Sequence, residues 1–234
     1  MKYSFLMRTL LVAGWLAAFG SVPAAAAPDS GEWRFEVLLN DKPIGFHRFS
    51  LSRDGEGQVL ESEARFDVRF LFVTAFRYRH DNVETWRGDC LTSVDARTDS
   101  NGKMLEVVGG RADGRFAVSS SNGRELLGDC VQSFAYWNPS ILQADRLLNT
   151  QTGEYESINV AAEGVESFAV GEDVVDADRY TLSTKGGDIT LWYTRNDQRW
   201  LALEAPAKGG RRIRYMPVAL PDSRDFRVAA AGNN

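Results

Sequence analysis

The 234-residue chain carries 27 Lys and Arg against 32 Asp and Glu, and its net charge of −5 argues against a nucleic-acid or anionic-membrane footprint. With 44% hydrophobic residues it can bury a sizeable core as one domain. Its 2 cysteines and 2 histidines leave little from which to build a metal centre, and there is no C-x-x-C redox pair.

At the amino end, Lys2 and Arg8 precede an apolar run from Thr9 to Gly20, followed by Pro23 and the small residues Ala24 to Ala27. This is the order of a secretory signal peptide. Cleavage is expected after Ala26, which leaves small residues at the first and third positions before the cut. An uncleaved anchor is the alternative, since the stretch to Ala27 approaches the ~20 residues of a spanning helix. The Ala-rich exit and Pro23 favour cleavage. The expected organisation is a leader at residues 1–26, a single β domain at 27–220 and a flexible tail at 221–234. Loss of Lys2 and Arg8 with the leader takes the net charge from −5 to −7. No later apolar run is long enough to span a bilayer, so a periplasmic or secreted protein is expected. In that oxidising compartment Cys90 and Cys130 most simply form a disulfide. Closing the loop between them would stabilise the fold by roughly 4 kcal/mol on a chain-entropy estimate.

Turn signals recur every eight to twelve residues. They are Asn40-Asp41, Asp54 to Gly57, Asn101-Gly102, Gly109-Gly110, Asp113-Gly114, Asn122-Gly123, Gly164, Gly186-Gly187, Asn196-Asp197 and Gly209-Gly210. The runs between them are aromatic and β-branched. In the stretch from Leu60 to Phe70, Phe66, Val68 and Phe70 alternate with Arg65, Asp67 and Arg69. Strict alternation of this kind places one face on a core and the other in water. WRFEVLL, RYTLST, DITLWYT, RWLALEA and RRIRYMPV read the same way. One segment differs: Asn138 can cap a helix that begins at Pro139 and runs with Ile141, Leu142, Leu147 and Leu148 toward residue 148. The expected fold is all-β, an antiparallel meander forming a strongly curved sheet or open β-barrel, with one short helix near 139–148 covering one side. A closed eight-stranded barrel with extra hairpins is the alternative.

The strings KPIGFHRFSL (42–51), FRYRHDNVETW (76–86), SFAYWNPSIL (133–142), LLNTQTGEY (147–155) and ITLWY (189–193) together resemble a family of uncharacterised exported proteobacterial proteins described as a domain of unknown function. The resemblance implies an exported β-rich domain and carries no activity to any residue. More loosely, the expected architecture looks like the half-barrel carriers of lipoproteins and lipids in the bacterial envelope, an analogy of shape only.

The most informative stretch is Phe76 to Trp86, whose even positions put Phe76, Tyr78, His80, Asn82, Glu84 and Trp86 on one face of a strand. Arg77, Arg79, Asp81 and Arg87 then face the other way. His80 and Glu84 lie roughly 13–14 Å apart along a strand, too far to bond each other. Such a face is either a satisfied buried network or a polar floor that orients one end of a mostly apolar ligand. The candidate ligand-binding residues are Tyr78, His80, Glu84 and Trp86, with Tyr136 and Trp137 at the helix entrance beside Phe134. These last rings are either a lid or helix-to-sheet packing. His47 is expected beside a hairpin, meeting backbone groups or solvent. Lys208, Arg211, Arg212 and Arg214 are expected on the solvated face of a last hairpin.

No G-x-S-x-G elbow, H-E-x-x-H pair, phosphate loop or dinucleotide fingerprint occurs. Paired carboxylates drawn from Asp67, Asp81 and Glu84 could serve a hydrolase. A metal held by His47, His80 and Glu84 would need two strands to bring the imidazoles together. The sequence therefore assigns no catalytic residue, metal or cofactor. It points first to a non-catalytic envelope protein that binds a hydrophobic or lipid-like molecule, then to an envelope hydrolase or to an assembly partner without a small ligand.

Overall fold

The computed structural model describes Pro28, residues 30–70 and residues 73–221. The leader and, apart from Pro221, the tail lie outside the described residues. Fifteen strands follow in order. The first arm holds β1 (Gly31–Leu39), β2 (Lys42–Asp54), β3 (Gly57–Phe70), β4 (Val73–Arg87), β5 (Cys90–Ser100), β6 (Lys103–Ala112), β7 (Arg115–Ser120) and β8 (Gly123–Leu126). A crossing segment follows, with a 3-10 helix (Pro139–Gln143), β9 (Arg146–Leu148) and β10 (Tyr155–Ser157). The second arm holds β11 (Asn159–Val170), β12 (Asp173–Thr184), β13 (Gly187–Thr194), β14 (Trp200–Ala207) and β15 (Arg211–Ala219).

Thirteen of these strands form one antiparallel sheet in the order β11-β12-β13-β14-β15-β1-β2-β3-β4-β5-β6-β7-β8. The two arms join where β15 pairs β1, through registers such as Val37 with Tyr215. The sheet curves strongly without closing, and β8 and β11 remain its edges. This is the all-β, open-barrel architecture expected from the alternating strands.

Two of the expected turns are instead strand interior. Gly109-Gly110 lies within β6, where a Cβ on Gly109 would meet the Phe116 ring at 2.7 Å. The glycine there makes room for a core aromatic. Gly164 lies within β11 at φ +108°, where the pairing with β12 shifts register. That is a bulge, a conformation glycine adopts without a Cβ penalty.

The expected helix is shorter and tighter. Asn138 Oδ1 accepts from the Ser140 amide at 3.0 Å and Pro139 opens the first turn, but the helix ends at Gln143. Ala144 is already extended, and Leu147 and Leu148 are strand residues paired with Glu156 and Tyr155. Both leucines are fully buried. Two adjacent residues of a strand point to opposite faces, so both are buried here because the strand is covered on both sides.

Residues 127–158 thus cross the concave side of the sheet from one edge to the other and pack both arms onto themselves. Trp137 meets Trp86 of β4 edge-to-face at 5.6 Å, and Tyr136 lies 5.4 Å from Trp200 of β14. The Tyr193 hydroxyl donates to the Tyr136 carbonyl at 2.8 Å. Trp33, Trp86, Trp137 and Trp200 are all essentially inaccessible and make this end of the fold a closed aromatic core. The Cys90–Cys130 disulfide, with Cα atoms 4.9 Å apart, fastens the start of the crossing segment to the start of β5. Next to it the Leu91 amide donates to the Val131 carbonyl at 2.8 Å.

Candidate functional site

A cavity of about 790 Å³ opens at the end of the sheet opposite the tryptophan core. The ends of the β1–β2, β5–β6, β12–β13 and β14–β15 hairpins ring its mouth through Leu39, Ser100, Gly187 and Lys208, together with Phe76 of β4. Its walls are largely apolar, with Ile44, Phe66, Ile189, Ala205 and Ile213 among them. Its far end is closed by Phe134, Ala135 and Tyr136 of the crossing segment.

One side of the floor is polar, and register explains how it is assembled. His47 of β2, Ala64 of β3, His80 of β4 and Thr98 of β5 are successive partners across four strands, so their side chains share the concave face. Ala64 is the small member of this row and leaves space between the two imidazoles. One repeat deeper, Ser62 pairs with Asn82, and one deeper again Leu60 pairs with Glu84.

Glu84 is buried to 3% exposure and holds three neutral donors. Asn82 Nδ2 donates to one carboxyl oxygen at 2.9 Å and Trp86 Nε1 to the other at 3.0 Å. Ser133 Oγ of the crossing segment lies 3.0 and 3.1 Å from the two oxygens. Burial pushes the Glu84 carboxyl above its usual range, while Asn82, Ser133 and Trp86 pull it back. Glu84 therefore staples the crossing segment to β4 at the bottom of the cavity.

His80 Nδ1 lies 2.9 Å from Thr98 Oγ1, and burial holds the imidazole down at about 4. His47 Nδ1 lies 3.1 Å from Tyr215 Oη, and the ring stacks on Phe49 at 4.0 Å. Burial, and second the neighbouring His80, lower the His47 pKa well below its usual value. Both imidazoles are neutral near pH 7. Tyr78, Tyr136 and Tyr215 are raised by burial and keep their phenolic protons.

A pH dependence follows. A histidine with a folded pKa near 4 and an unfolded value near 6.5 is neutral in both states above pH 6.5, whereas between the two values only the unfolded chain gains the proton. Stability is therefore lost as pH falls from about 6.5 to 4, by about 3 kcal/mol for His80, with His47 adding in the same direction. Urea unfolding across this range checks the loss, and His80→Gln should flatten it. An equally steep loss in that variant would assign the effect elsewhere.

Of the residues singled out from sequence, Tyr78, His80, Glu84 and Tyr136 line the cavity. Trp86 and Trp137 face the same side but lie beyond its floor, sealed against each other. The helix entrance is packing at Trp137 and cavity floor at Tyr136. His47 is not beside a hairpin but inside the cavity, at mid-strand in β2. A bulge at Ile44, where pairing with β1 jumps from Gly45 to Pro43, offsets the turn from the strand that follows. Its signal in the sequence was the alternation of His47 with Phe49 and Leu51. Ser62, Asn82 and Tyr215 also reach the floor. The last hairpin divides: Arg212 and Arg214 face outward onto Glu204, while Lys208 and Arg211 sit at the mouth. Among the described residues no three His, Cys, Asp or Glu side chains are close enough to share a metal.

The fold is similar to the crystal structure of a beta-barrel-like protein of domain of unknown function DUF1849 from Brucella abortus. The TM-score is 0.59 at 11% identity, covering 84% of this chain and 99% of that one, a likeness that carries the fold alone. No curated protein matches the sequence. The domain of unknown function DUF6134 matches residues 35–218, a span that contains all five strings on which the sequence resemblance rests. The chain belongs to the DUF6134 family.

Proposed function

We propose that the protein is an extracytoplasmic, non-catalytic binder of a hydrophobic or lipid-like molecule in the cell envelope. The observation that carries this reading is the apolar-walled cavity of about 790 Å³, open at one end and closed by the crossing segment at the other. Its size falls in the range of small-ligand pockets. The disulfide and the leader-like first residues support a place outside the cytoplasm. The hydrolase reading has less support: Asp67 and Asp81, which would have to pair with Glu84, lie on the outer face against Arg79 and Arg65.

The test is displacement of a fluorescent fatty-acyl probe, alongside native mass spectrometry of protein taken from the periplasmic fraction with its chain beginning at Ala27. Copurifying lipid and saturable probe binding are expected. Ala64→Phe, which fills the gap between the imidazoles, should weaken probe binding by tenfold or more, on the order of 1–2 kcal/mol. Protein that carries no lipid and binds no probe would overturn the reading.

A further inference from the structure

Resting on that reading, we infer that the cavity recognises its ligand by a neutral head group bearing a hydrogen-bond donor, a hydroxyl or an N–H, inserted first onto the His47–Asn82 floor. Two buried polar atoms on this floor have no partner in the protein: His47 Nε2 and Asn82 Oδ1. Both residues line the cavity, and Asn82 is only 5% exposed. A buried polar atom without a partner is costly, so such atoms mark places where another group completes the bonding.

The chemistry of the missing partner is set by what each residue already does. Asn82 commits Nδ2 to Glu84 Oε1, which fixes its amide so that Oδ1 is left as the unpartnered acceptor of a cavity-lining residue. Only a donor can satisfy it. His47 adapts to either role: if Tyr215 donates to Nδ1, Nε2 carries the proton, and if Nδ1 donates to Tyr215, Nε2 accepts. A hydroxyl serves both settings.

A carboxylate or phosphate oxygen has no proton to give Asn82 and would sit beside the Glu84 carboxyl, facing imidazoles that burial keeps neutral. Among the described lining residues the cationic side chains are Lys208 and Arg211, both at the mouth. An anionic amphiphile would therefore bind the other way round, with its charge at the rim and its tail inward over polar atoms that it leaves unmet. Head group and orientation are linked by this charge distribution.

Dodecanol, monolauroylglycerol and dodecanoate share one chain and differ at the head. Their competition with the acyl probe at about pH 8, where the acid is ionised, tests the inference on the unmodified protein. The two hydroxyl ligands are expected to bind about tenfold more tightly than dodecanoate. His47→Phe, which keeps the stack on Phe49, and Asn82→Leu should each remove that preference, while Lys208→Gln with Arg211→Gln should weaken dodecanoate alone. Circular dichroism of each variant separates a lost fold from a lost contact. Equal or tighter binding of dodecanoate to the unmodified protein overturns the head-group assignment and leaves the binding function standing. Failure of all three ligands, with no probe binding, overturns both.

Discussion

Trp137→Ala is expected to lower stability by about 3–5 kcal/mol, among the largest losses a single side chain of this fold can produce. Trp137 is 1% exposed and stands edge-to-face on Trp86, at the point where the crossing segment meets the first arm. Truncation leaves a cavity between rigid strands that cannot collapse to fill it. The residue before it, Tyr136, packs on Trp200 of the second arm, so loosening this turn also loosens the contact between the arms. The measurement is the urea midpoint with its slope, against Trp137→Phe, which keeps an aromatic contact and should lose less. A midpoint shift equal for Ala and Phe, or below about 1 kcal/mol, would show that the contact is not what joins the arms.

Reduction of Cys90–Cys130 is expected to cost about 4 kcal/mol on the chain-entropy estimate for a separation of 40 residues. For a domain of this size that is a fall in melting temperature of roughly 10 °C. The bond ties the crossing segment to β5 before that segment has made any of its aromatic contacts. The Leu91–Val131 hydrogen bond continues to hold the segment beside β5 in the folded reduced protein. Calorimetry with and without a phosphine reductant measures the difference, and thiol labelling of freshly isolated protein checks the starting state. Free thiols in that preparation, or an unchanged melting temperature after complete reduction, would count against the expectation.

The strands were legible because a half-buried strand writes its two faces into the sequence at period two. Phe76 to Trp86 is the clearest case, with Tyr78, His80, Asn82, Glu84 and Trp86 all turned inward as the alternation requires. Of the crossing segment only the turn capped by Asn138 and opened by Pro139 was legible. Leu147 and Leu148 belong to no periodic face, because a strand covered on both sides has none, and their helical spacing with Ile141 was coincidental. His47 was misplaced because a bulge at Ile44 separates the turn from the rest of β2, and its alternation with Phe49 and Leu51 was the local sign that it already belonged to the inward face of the strand. The pairing of Ser133 with Glu84, 49 residues apart, is set only by where the segment crosses the sheet. Period and composition are local quantities, whereas the cavity is built from rows that run across strands.

The β1–β15 junction has a consequence for how the chain reaches this state. Each arm is a succession of hairpins, with contacts short in sequence and fast to form, but the ladder that unites the arms joins Leu39 to Ile213 and Phe35 to Pro217. Until β15 is available, β1 is a sheet edge of nine residues whose amides and carbonyls on the side away from β2 are unmatched. A chain emerging vectorially, amino end first, would carry that open edge throughout the synthesis or translocation of everything after it. The last of the described strands is the one that closes it, so the interval before β15 arrives is when intermolecular strand pairing competes with folding.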